Sequence, residues 1–325
     1  MKVFKQWAVP AIAAAVFTFT GAGPASAQAF PSKPVRIIVP YAPGGAADSL
    51  ARNVGKKMAD ILGQPVLIEN KPGGASTIGI AESARAPADG YTIAFVAVPF
   101  VITQFVYPKL PYDGARELTP LALLQTAPLV LVVNPSLGVR TPTEYLQAAK
   151  AKPGQVTYAT SGSGSVTHMA GELLKQQSGA DIVPIPYKGG GQSIIDLISG
   201  QVSSAFLSPV EVNQHIKSGK IIGVATTGSK RSPSAPDLPT FAEAGVKDYD
   251  VSGWFGLMLR TGTPPEVTAK LSDAVRRSLQ SPEVRTKIAD TGEVPEGTIA
   301  EFDALLAKEY PRWSRAVKTA NIKPD

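Results

Sequence analysis

From residue 34 onward, short apolar runs rich in β-branched residues alternate with segments whose apolar residues recur every three or four positions. The apolar runs predict strands at 35–41, 64–70, 91–98, 129–135, 155–160, 181–187, 203–209 and 221–227. The helical spacing predicts helices over about 47–61, 77–85 and 141–154, and others after residues 165, 191 and 210. Strands separated by helices of this length predict mainly parallel sheets with helices on both faces.

These units are too many for one sheet, so the pattern predicts two α/β lobes. We expect lobe 1 to take residues 28–126 and 226–325, and lobe 2 to take residues 127–225. The strand at 221–227 would carry the chain back to lobe 1. The C-terminal part reads as more helical, with a capping box at Thr298 and Glu301 and a kink at Pro311.

The first 27 residues differ in character from the rest. Lys2 and Lys5 precede an apolar run of about 13 residues, and Ala25-Ser26-Ala27 follows as an A-x-A site. This arrangement predicts a secretory signal peptide over residues 1–27, cleaved after Ala27. A short membrane anchor is the alternative, but the run is below the ~20 apolar residues of a span. We therefore expect a soluble, exported protein.

Cysteine usage and charge narrow the class of protein further. The chain has no cysteine, which excludes disulfides and a lipid anchor at the signal peptide and favours the periplasm. The formal charge of +6 becomes +4 for the mature chain, with 30 basic and 26 acidic residues. Because no basic run or aromatic–basic stripe is present, we expect no nucleic-acid partner.

Four glycine-rich turns each precede a predicted helix. "VPYAPGG" at 39–45 resembles "IPYKGGG" at 185–191, and "NKPGGAST" (70–77) and "TSGSGSVTH" (160–168) are two more. In parallel α/β sheets such turns lie at the carboxyl ends of the strands, where ligands bind, and helix-start N–H groups favour anions. Each turn alone reads equally well as a tight connection, but four of them favour a shared cleft.

The residues that could carry catalysis or a metal are few. His168 and His215 are the two histidines, and a lone histidine after a turn is more often a hydrogen-bonding residue than a catalyst. The sequence has no G-x-S-x-G elbow, no P-loop or dinucleotide fingerprint and no spaced His or Cys pair. We therefore expect no enzyme activity, no metal and no cofactor.

Seven segments together resemble one known family. "FPSKPVRIIVPYAPGGAADSLAR" (30–52) is similar to the signature of tripartite tricarboxylate transporter substrate-binding proteins, also called the Bug family of periplasmic solute receptors. The resemblance continues in "LGQPVLIENKPGGAST" (62–77), "YPKLPYD" (107–113), "GSGSVTHMAGELL" (162–174), "IPYKGGGQSIIDLISGQV" (185–202), "GVATTGSKRSPSAPDLPTFAEAGV" (223–246) and "SGWFGLMLRTGTPPEV" (252–267). It covers nearly the whole mature chain in the family's order.

This resemblance implies a Venus-flytrap receptor, the two-lobed periplasmic-binding-protein fold, that closes on a carboxylate. It implies that the first loop grips one carboxylate, partly through water, with Tyr41, Ala42, Pro43, Gly44, Gly45, Ala46, Ala47 and Asp48. From lobe 2 it implies Ser161, Ser163, Ser165, Thr167 and His168, and backbone amides near Lys188, Gly189 and Gly190. Because an aspartate would repel a carboxylate, we favour a loop-shaping role for Asp48 over ligand contact.

Two positions depart from the family's pattern. Val98, Pro99, Phe100 and Val101 replace a polar stretch after the third strand, and Leu207-Ser208 stands where an aspartate is common. Loss of an acid and gain of apolar surface argue against an amino-acid ligand and favour an aromatic or otherwise apolar carboxylate. The alternative is that these side chains only pack between the lobes.

The resemblance also implies the partners. We expect a receptor that delivers a small carboxylate to membrane subunits of a tripartite tricarboxylate-type transporter. Presentation of the ligand to a sensor kinase stays an alternative, and an enzyme acting on a carboxylic acid is a weaker one. We expect a monomer, because a solute receptor must close freely.

Overall fold

The computed structural model describes residues 30–162, 165–187, 190–289, 291–319 and 322, and the predicted signal peptide and its cleavage site lie outside this part. Ten strands form two five-stranded sheets. The first sheet contains β1 (Val35–Val39), β2 (Val66–Asn70), β3 (Thr92–Ala97), β4 (Leu118–Pro128) and β10 (Ser252–Arg260). The second contains β5 (Val130–Val133), β6 (Val156–Thr160), β7 (Ile182–Pro186), β8 (Ser204–Leu207) and β9 (Ile222–Thr226).

Helices cover the faces of both sheets. Lobe 1 carries α1 (Ala46–Leu62), α2 (Thr77–Arg85), α3 (Val98–Val106), α4 (Gly114–Glu117), α9 (Pro265–Gln280), α10 (Pro282–Ala289) and α11 (Ile299–Thr319). Lobe 2 carries α5 (Pro142–Ala151), α6 (Val166–Ser178), α7 (Gly190–Ser199) and α8 (Pro209–Lys217). Among the described residues, no helix is both long and apolar enough to cross a membrane.

The two sheets share one topology. Their strand orders are β2-β1-β3-β10-β4 and β7-β6-β8-β5-β9. In each sheet four strands point the same way, and β10 or β5 runs antiparallel to both of its neighbours. In each sheet the antiparallel strand is the first strand after the chain crosses from the other lobe. No crossover helix within its own sheet therefore sets its direction. The predicted mainly parallel, two-lobed α/β fold is confirmed.

Two strands of the first sheet were absent from the sequence-based prediction, namely β4 and β10. Gly253 and Gly256 weaken the local strand signal in β10. Tertiary packing explains the second glycine, because a Cβ at Gly256 would overlap the ring of Phe302 in α11. The return to lobe 1 also comes later than expected, since β9 pairs with β5 in the second sheet.

Two segments connect the lobes. The chain passes from β4 to β5 at Leu129, and it returns through residues 227–251. Thr227 hydrogen-bonds to both segments: its Oγ1 accepts from the Leu129 N–H at 2.8 Å and donates to the Val251 carbonyl at 2.5 Å. This buried threonine therefore ties the two crossings together.

Buried apolar side chains form one cluster that spans both lobes and two that lie on the outer sheet faces. The spanning cluster includes Phe302 and Trp313 of α11, together with Tyr158 and Phe206 of lobe 2. The helix α11 runs unbroken past Pro311. Its start is capped by Thr298, whose Oγ1 accepts from the Glu301 N–H at 3.1 Å.

Candidate functional site

A cleft of about 1330 Å³ lies at the carboxyl ends of the strands and is lined by both lobes. It is larger than the roughly 300–1,000 Å³ of most small-molecule pockets, which fits a cleft that is open. Twelve of the residues singled out from the sequence line it: Tyr41, Ala42, Pro43, Gly44, Gly45, Ala46, Ala47, Val98, Pro99, Ser161, Ser165 and Ser208. The structure thus brings loops that are more than 100 residues apart to one cavity.

The lobe 1 wall is the turn between β1 and α1. Gly44 has a φ of +86°, a backbone conformation that side chains with a Cβ rarely adopt. Gly45 is the N-cap of α1, and no side chain caps the helix there. The first N–H groups of α1 therefore have no side-chain partner from the cap residue and carry the positive end of the helix dipole.

Asp48 holds this turn in shape. Its carboxylate accepts from the Gly44 N–H at 2.9 Å, from Asn70 Nδ2 at 2.9 Å and from Arg52 Nε at 2.9 Å. Asn70 Nδ2 also donates to the Tyr41 carbonyl at 3.1 Å. The side chain is 4% exposed and does not line the cleft. Asp48 therefore stabilises the turn by hydrogen bonds without lining the cleft itself.

Hydrogen bonding lowers the pKa of Asp48. The bond from Arg52 is the largest cause, and together with the Gly44 and Asn70 bonds it outweighs burial and brings the pKa from 3.8 to about 2. The carboxylate is therefore ionised throughout the physiological pH range. Arg52 neutralises the charge of the Asp48 carboxylate. The turn between β1 and α1 therefore presents no net charge to the cleft.

Tyr41 connects this turn to the next one. Burial raises the pKa of Tyr41, and a side-chain hydrogen bond with Ser76 partly offsets the effect. Ser76 and Ala75 both have positive φ values, 77° and 50°. Non-glycine residues in this region store strain that the surrounding structure must hold. The glycine turn at 70–77, which contains Ser76, therefore positions the Tyr41 side chain at the cleft.

Three hydroxyl groups organise the lobe 2 wall. Thr167 Oγ1 accepts from the Ser161 N–H at 2.8 Å and lies 3.0 Å from Ser165 Oγ. Ser165 is the N-cap of α6, and its Oγ accepts from the His168 N–H at 3.2 Å. Ser161 and Ser165 line the cleft, whereas Thr167 stands behind them and fixes their positions.

His168 does not line the cleft. Its Nε2 lies 4.0 Å from Glu172 Oε1 one turn along α6. The same carboxylate oxygen accepts from Tyr158 OH at 2.9 Å and from Lys175 Nζ at 3.1 Å. His168 therefore belongs to a polar cluster between α6 and β6, outside the set of residues that line the cleft.

Phe100 and Leu207 are placed differently from the expectation that they line the pocket. Phe100 is 1% exposed and packs in the core, because α3 begins at Val98 and turns the third residue inward. Leu207 is 4% exposed and belongs to the lobe 2 core. Ser163, Lys188 and Gly189 lie outside the described residues, and Gly190 begins α7.

Aromatic and amide side chains that sequence reasoning missed complete the lining. Phe255 of β10 contributes apolar surface beside Trp254, which is 2% exposed, and Gln125 of β4 donates to Thr291 Oγ1 at 2.7 Å. Trp254 is held by Glu309, which accepts from its indole N–H at 2.8 Å. The segment "SGWFG" within the family resemblance is the signal that could have pointed to β10.

Lys287 of α10 is the basic side chain of the described lining, and Glu211 of α8 is the acidic one. Lys287 Nζ donates to Asn53 Oδ1 of α1 at 2.9 Å. The Glu211 carboxylate accepts from the Ser208 N–H at 3.1 Å and thereby caps α8. Within the described part of the chain, no group of three or more acidic, histidine or cysteine side chains could hold a metal ion.

The fold and the cleft define a two-lobed solute-binding protein. Residues 50–322 match TctC, described as the tripartite tricarboxylate transporter family receptor. The protein BugT of Bordetella pertussis is 35% identical over 305 residues, which cover 93% of this chain and 94% of BugT. The chain therefore belongs to the TctC family, also called Bug, whose members are periplasmic solute receptors and not enzymes.

Solved structures agree with this assignment. Rpa4515 of R. palustris, determined with adipate, matches with a TM-score of 0.75 and 31% identity over 91% of this chain and 100% of that one. MatC (Rpa3494) from Rhodopseudomonas palustris, determined with bound malate, matches with a TM-score of 0.72 and 32% identity over 89% and 100%. Both relatives bind small dicarboxylates.

Proposed function

We propose that this protein captures a small carboxylate between its lobes and delivers it to a tripartite tricarboxylate-type membrane transporter. The observation that carries the proposal is the convergence of the Tyr41–Ala47 turn and the Ser161/Ser165 hydroxyls on one cleft. The adipate and malate in two relatives support the carboxylate class. By this proposal the backbone N–H groups at the start of α1 receive one carboxylate, as helix starts receive anions.

The lining favours a ligand with an apolar body. Pro99 and Phe255 are partly exposed and present hydrophobic surface beside the Tyr41–Ala47 turn, whereas Val98 and Trp254 are each 2% exposed and pack in the core next to it. The acidic side chain of the described lining, Glu211, is engaged in capping α8, so it is a poor partner for a ligand ammonium group. These features support an aromatic or otherwise apolar carboxylate over an amino acid.

Lobe closure supplies the binding energy that one loop cannot. A helix start contributes roughly 0.3–1 kcal/mol to an anion, up to about 2 when partly buried. Micromolar affinity needs about 8 kcal/mol. Burial of the apolar ligand body and hydroxyl hydrogen bonds from lobe 2 provide the remainder when the crossings at Leu129 and Thr227 bend.

By this proposal the mature chain begins at Gln28 and lies in the periplasm, as the predicted signal peptide implies. There the closed, liganded form is what the transporter subunits would recognise, and a monomer leaves both lobes free to move. A sensor kinase that reads the same closed form is the alternative partner. Co-purification with transporter membrane subunits in the presence and absence of ligand separates these two partners.

The carboxylate grip is tested at Ala46, the exposed first residue of α1. An Ala46→Asp variant places a negative charge where the ligand carboxylate is proposed to sit. Acidic residues in the first turn also stabilise helices by about 0.3–1 kcal/mol, so the fold is retained. We expect Ala46→Asp to abolish the shift in thermal midpoint that carboxylates produce, and the neutral Ala46→Asn to retain most of it.

The ligand panel pairs each acid with its amide, for example benzoate with benzamide. At a hundredfold excess over Kd, a ligand stabilises the folded state by about 2.7 kcal/mol. Equal shifts with acid and amide, or equal binding by both Ala46 variants, would contradict the grip. Shifts confined to amino acids would contradict the apolar pocket and leave the receptor function standing.

A further inference from the structure

A second cavity, of about 180 Å³, lies at the two crossings between the lobes and is called the hinge cavity below. Residues 228–230 line it from lobe 2. Their segment packs on lobe 2, where the Ser234 carbonyl accepts from Asn213 Nδ2 of α8 at 3.2 Å. Glu293 and the α11 residue Arg312 line the cavity from lobe 1. Both lobes therefore meet at this cavity.

The hinge cavity and the ligand cleft lie on opposite faces of the same strands. In β4, Thr126 and Pro128 line the hinge cavity, whereas Ala127 lines the cleft. In β10, Ser252 lines the hinge cavity and Gly253 lines the cleft. This follows from the strand geometry, in which successive residues face opposite sides. Because the crossings continue from these strand ends, a lobe rotation that narrows the cleft widens the hinge cavity.

The return crossing changes its contacts from lobe 2 to lobe 1 at the edge of the hinge cavity. Tyr249 OH donates to the Ala170 carbonyl of α6 in lobe 2 at 3.0 Å. One residue later, the Asp250 carbonyl accepts from the Arg312 guanidinium of α11 in lobe 1. Arg312 is itself fixed by Glu309 Oε1 at 2.9 Å. Asp250 therefore stands with lobe 1.

Opposite charges face each other across the hinge cavity. Lys230 lines it from lobe 2, and Asp250 and Glu293 line it from the lobe 1 side. Burial raises the pKa of Glu293, the charge of Asp250 raises it further, and Lys230 lowers it. Lys230 therefore favours the ionised form of Glu293 across the cavity. A third carboxylate of the lining, Glu309, is already paired with Arg312.

We propose that Lys230 holds the receptor open by attracting Asp250 and Glu293 across the hinge cavity. Closure of the cleft separates these charges, so their attraction opposes closure and lowers ligand affinity from outside the ligand site. This inference rests on the lobe closure of the proposed function and adds a control of affinity to it. The apparent Kd equals the intrinsic Kd divided by the fraction of competent protein, so a variant that favours closure tightens every ligand by one factor.

The test uses Lys230→Glu, which replaces attraction between the lobes by repulsion. Adding Glu293→Lys to this variant restores opposite charges in exchanged positions. Lys220→Glu is the matched control, because Lys220 is an exposed lysine of lobe 2 that lines neither cavity. Calorimetry measures Kd for adipate, hexanoate and benzoate, and small-angle X-ray scattering measures the radius of gyration of the unliganded proteins.

We expect Lys230→Glu to tighten every acid that binds the parent by the same factor, about two- to tenfold, and to lower the unliganded radius of gyration. The charge-swapped variant should return both quantities to the parental values, and Lys220→Glu should keep them. The effect of Lys230→Glu should also shrink with added salt, because the Debye length falls from about 10 Å at 0.1 M to about 3 Å at 1 M.

Three outcomes would overturn the role of Lys230 while carboxylate capture stands. They are parental affinity in Lys230→Glu, an equal gain in Lys220→Glu, and a charge-swapped variant that binds as tightly as Lys230→Glu. Absence of binding by every acid to the parent would overturn carboxylate capture. In that case the scattering of the unliganded variants still decides the role of Lys230, since an unchanged radius of gyration in Lys230→Glu would overturn it.

Discussion

Removal of the Thr227 hydroxyl perturbs the junction between the lobes directly. Thr227 is fully buried, and its Oγ1 accepts the Leu129 N–H at 2.8 Å and donates to the Val251 carbonyl at 2.5 Å. The backbone repeats the connection, because the Thr227 N–H donates to the Leu129 carbonyl at 2.8 Å. The same hydroxyl also lies 3.1 Å from the Leu129 carbonyl as an alternative acceptor. A Thr227→Val substitution keeps the shape of the side chain and deletes all of these side-chain hydrogen bonds.

The expected loss of stability in Thr227→Val follows from the backbone group that loses its hydrogen-bond partner. The Leu129 N–H would be buried and unsatisfied, which costs about 1–3 kcal/mol. The Thr226→Val variant is the matched control, because Thr226 is equally buried and its Oγ1 makes one long bond of 3.4 Å to the Leu129 carbonyl. That carbonyl keeps its bond from the Thr227 N–H, so the control should lose less than about 1 kcal/mol.

Two measurements check this prediction. Urea unfolding gives the change in the free energy of unfolding, and amide hydrogen exchange at Leu129 locates it. We expect Thr227→Val to lose about 1–3 kcal/mol and to accelerate Leu129 exchange by roughly 5- to 150-fold, since 1.4 kcal/mol is a factor of ten. Equal stability of the two valine variants, or unchanged Leu129 exchange, would refute the view that Thr227 joins the crossings.

The remaining predictions concern the turn between β1 and α1 and the packing of lobe 2. The folded-state pKa of Asp48 is about 2 against an ordinary 3.8, so its stabilisation is present above pH 3.8 and is lost as pH falls toward 2. We expect about 1–2 kcal/mol, less than the full shift implies because Arg52 is half exposed, and Asp48→Asn should lack this pH dependence in acid titrations of stability. Gly171→Ala should lose about 1–3 kcal/mol by thermal unfolding, because a Cβ there would overlap the Tyr158 ring.

Each of these two predictions, for Asp48→Asn and for Gly171→Ala, has an outcome that would contradict it. A difference between the parent and Asp48→Asn that stays constant from pH 6 to pH 2 would show that the carboxylate charge does not hold the turn. For Gly171→Ala, the control is Gly191→Ala in α7. No atom lies within 4 Å of a Cβ at that glycine and its φ is not positive, so this substitution should not destabilise the fold. Wild-type stability of Gly171→Ala would mean that α6 and β6 are not in such close contact.

Local patterns predicted the elements that carry the binding turns. The helix expected at 77–85 is α2 (Thr77–Arg85), and the strand expected at 35–41 is β1 with two loop residues added. Both depend on hydrophobic periodicity and on the turn residues at the ends of each segment, which can be read within about ten residues of the sequence. The glycine turns lie at strand ends for the same reason, and the family resemblance connected them to a carboxylate.

Contacts between distant segments could not be predicted in this way. Lys287 and Asn53 are 234 positions apart, and Gln125 and Thr291 are 166 apart. Nothing in the residues around Lys287 distinguishes it from other surface lysines, because its hydrogen bond to Asn53 depends on where α10 packs against α1. For Phe100 the sequence predicted too much: its apolar neighbours suggested a pocket wall, but α3 begins at Val98 and directs Phe100 into the core.

The sequence by itself determined the alternation of strands and helices, the two α/β lobes and the glycine turns at the strand ends, because these depend on short-range periodicity and on backbone freedom at glycine. The tertiary structure alone decided which turns share a cleft, the antiparallel direction of β5 and β10, and the approach of Lys287 to α1. Those features depend on the chain crossing twice between lobes, and the hydrogen bond that joins the two crossings links Leu129 and Thr227, which are 98 positions apart.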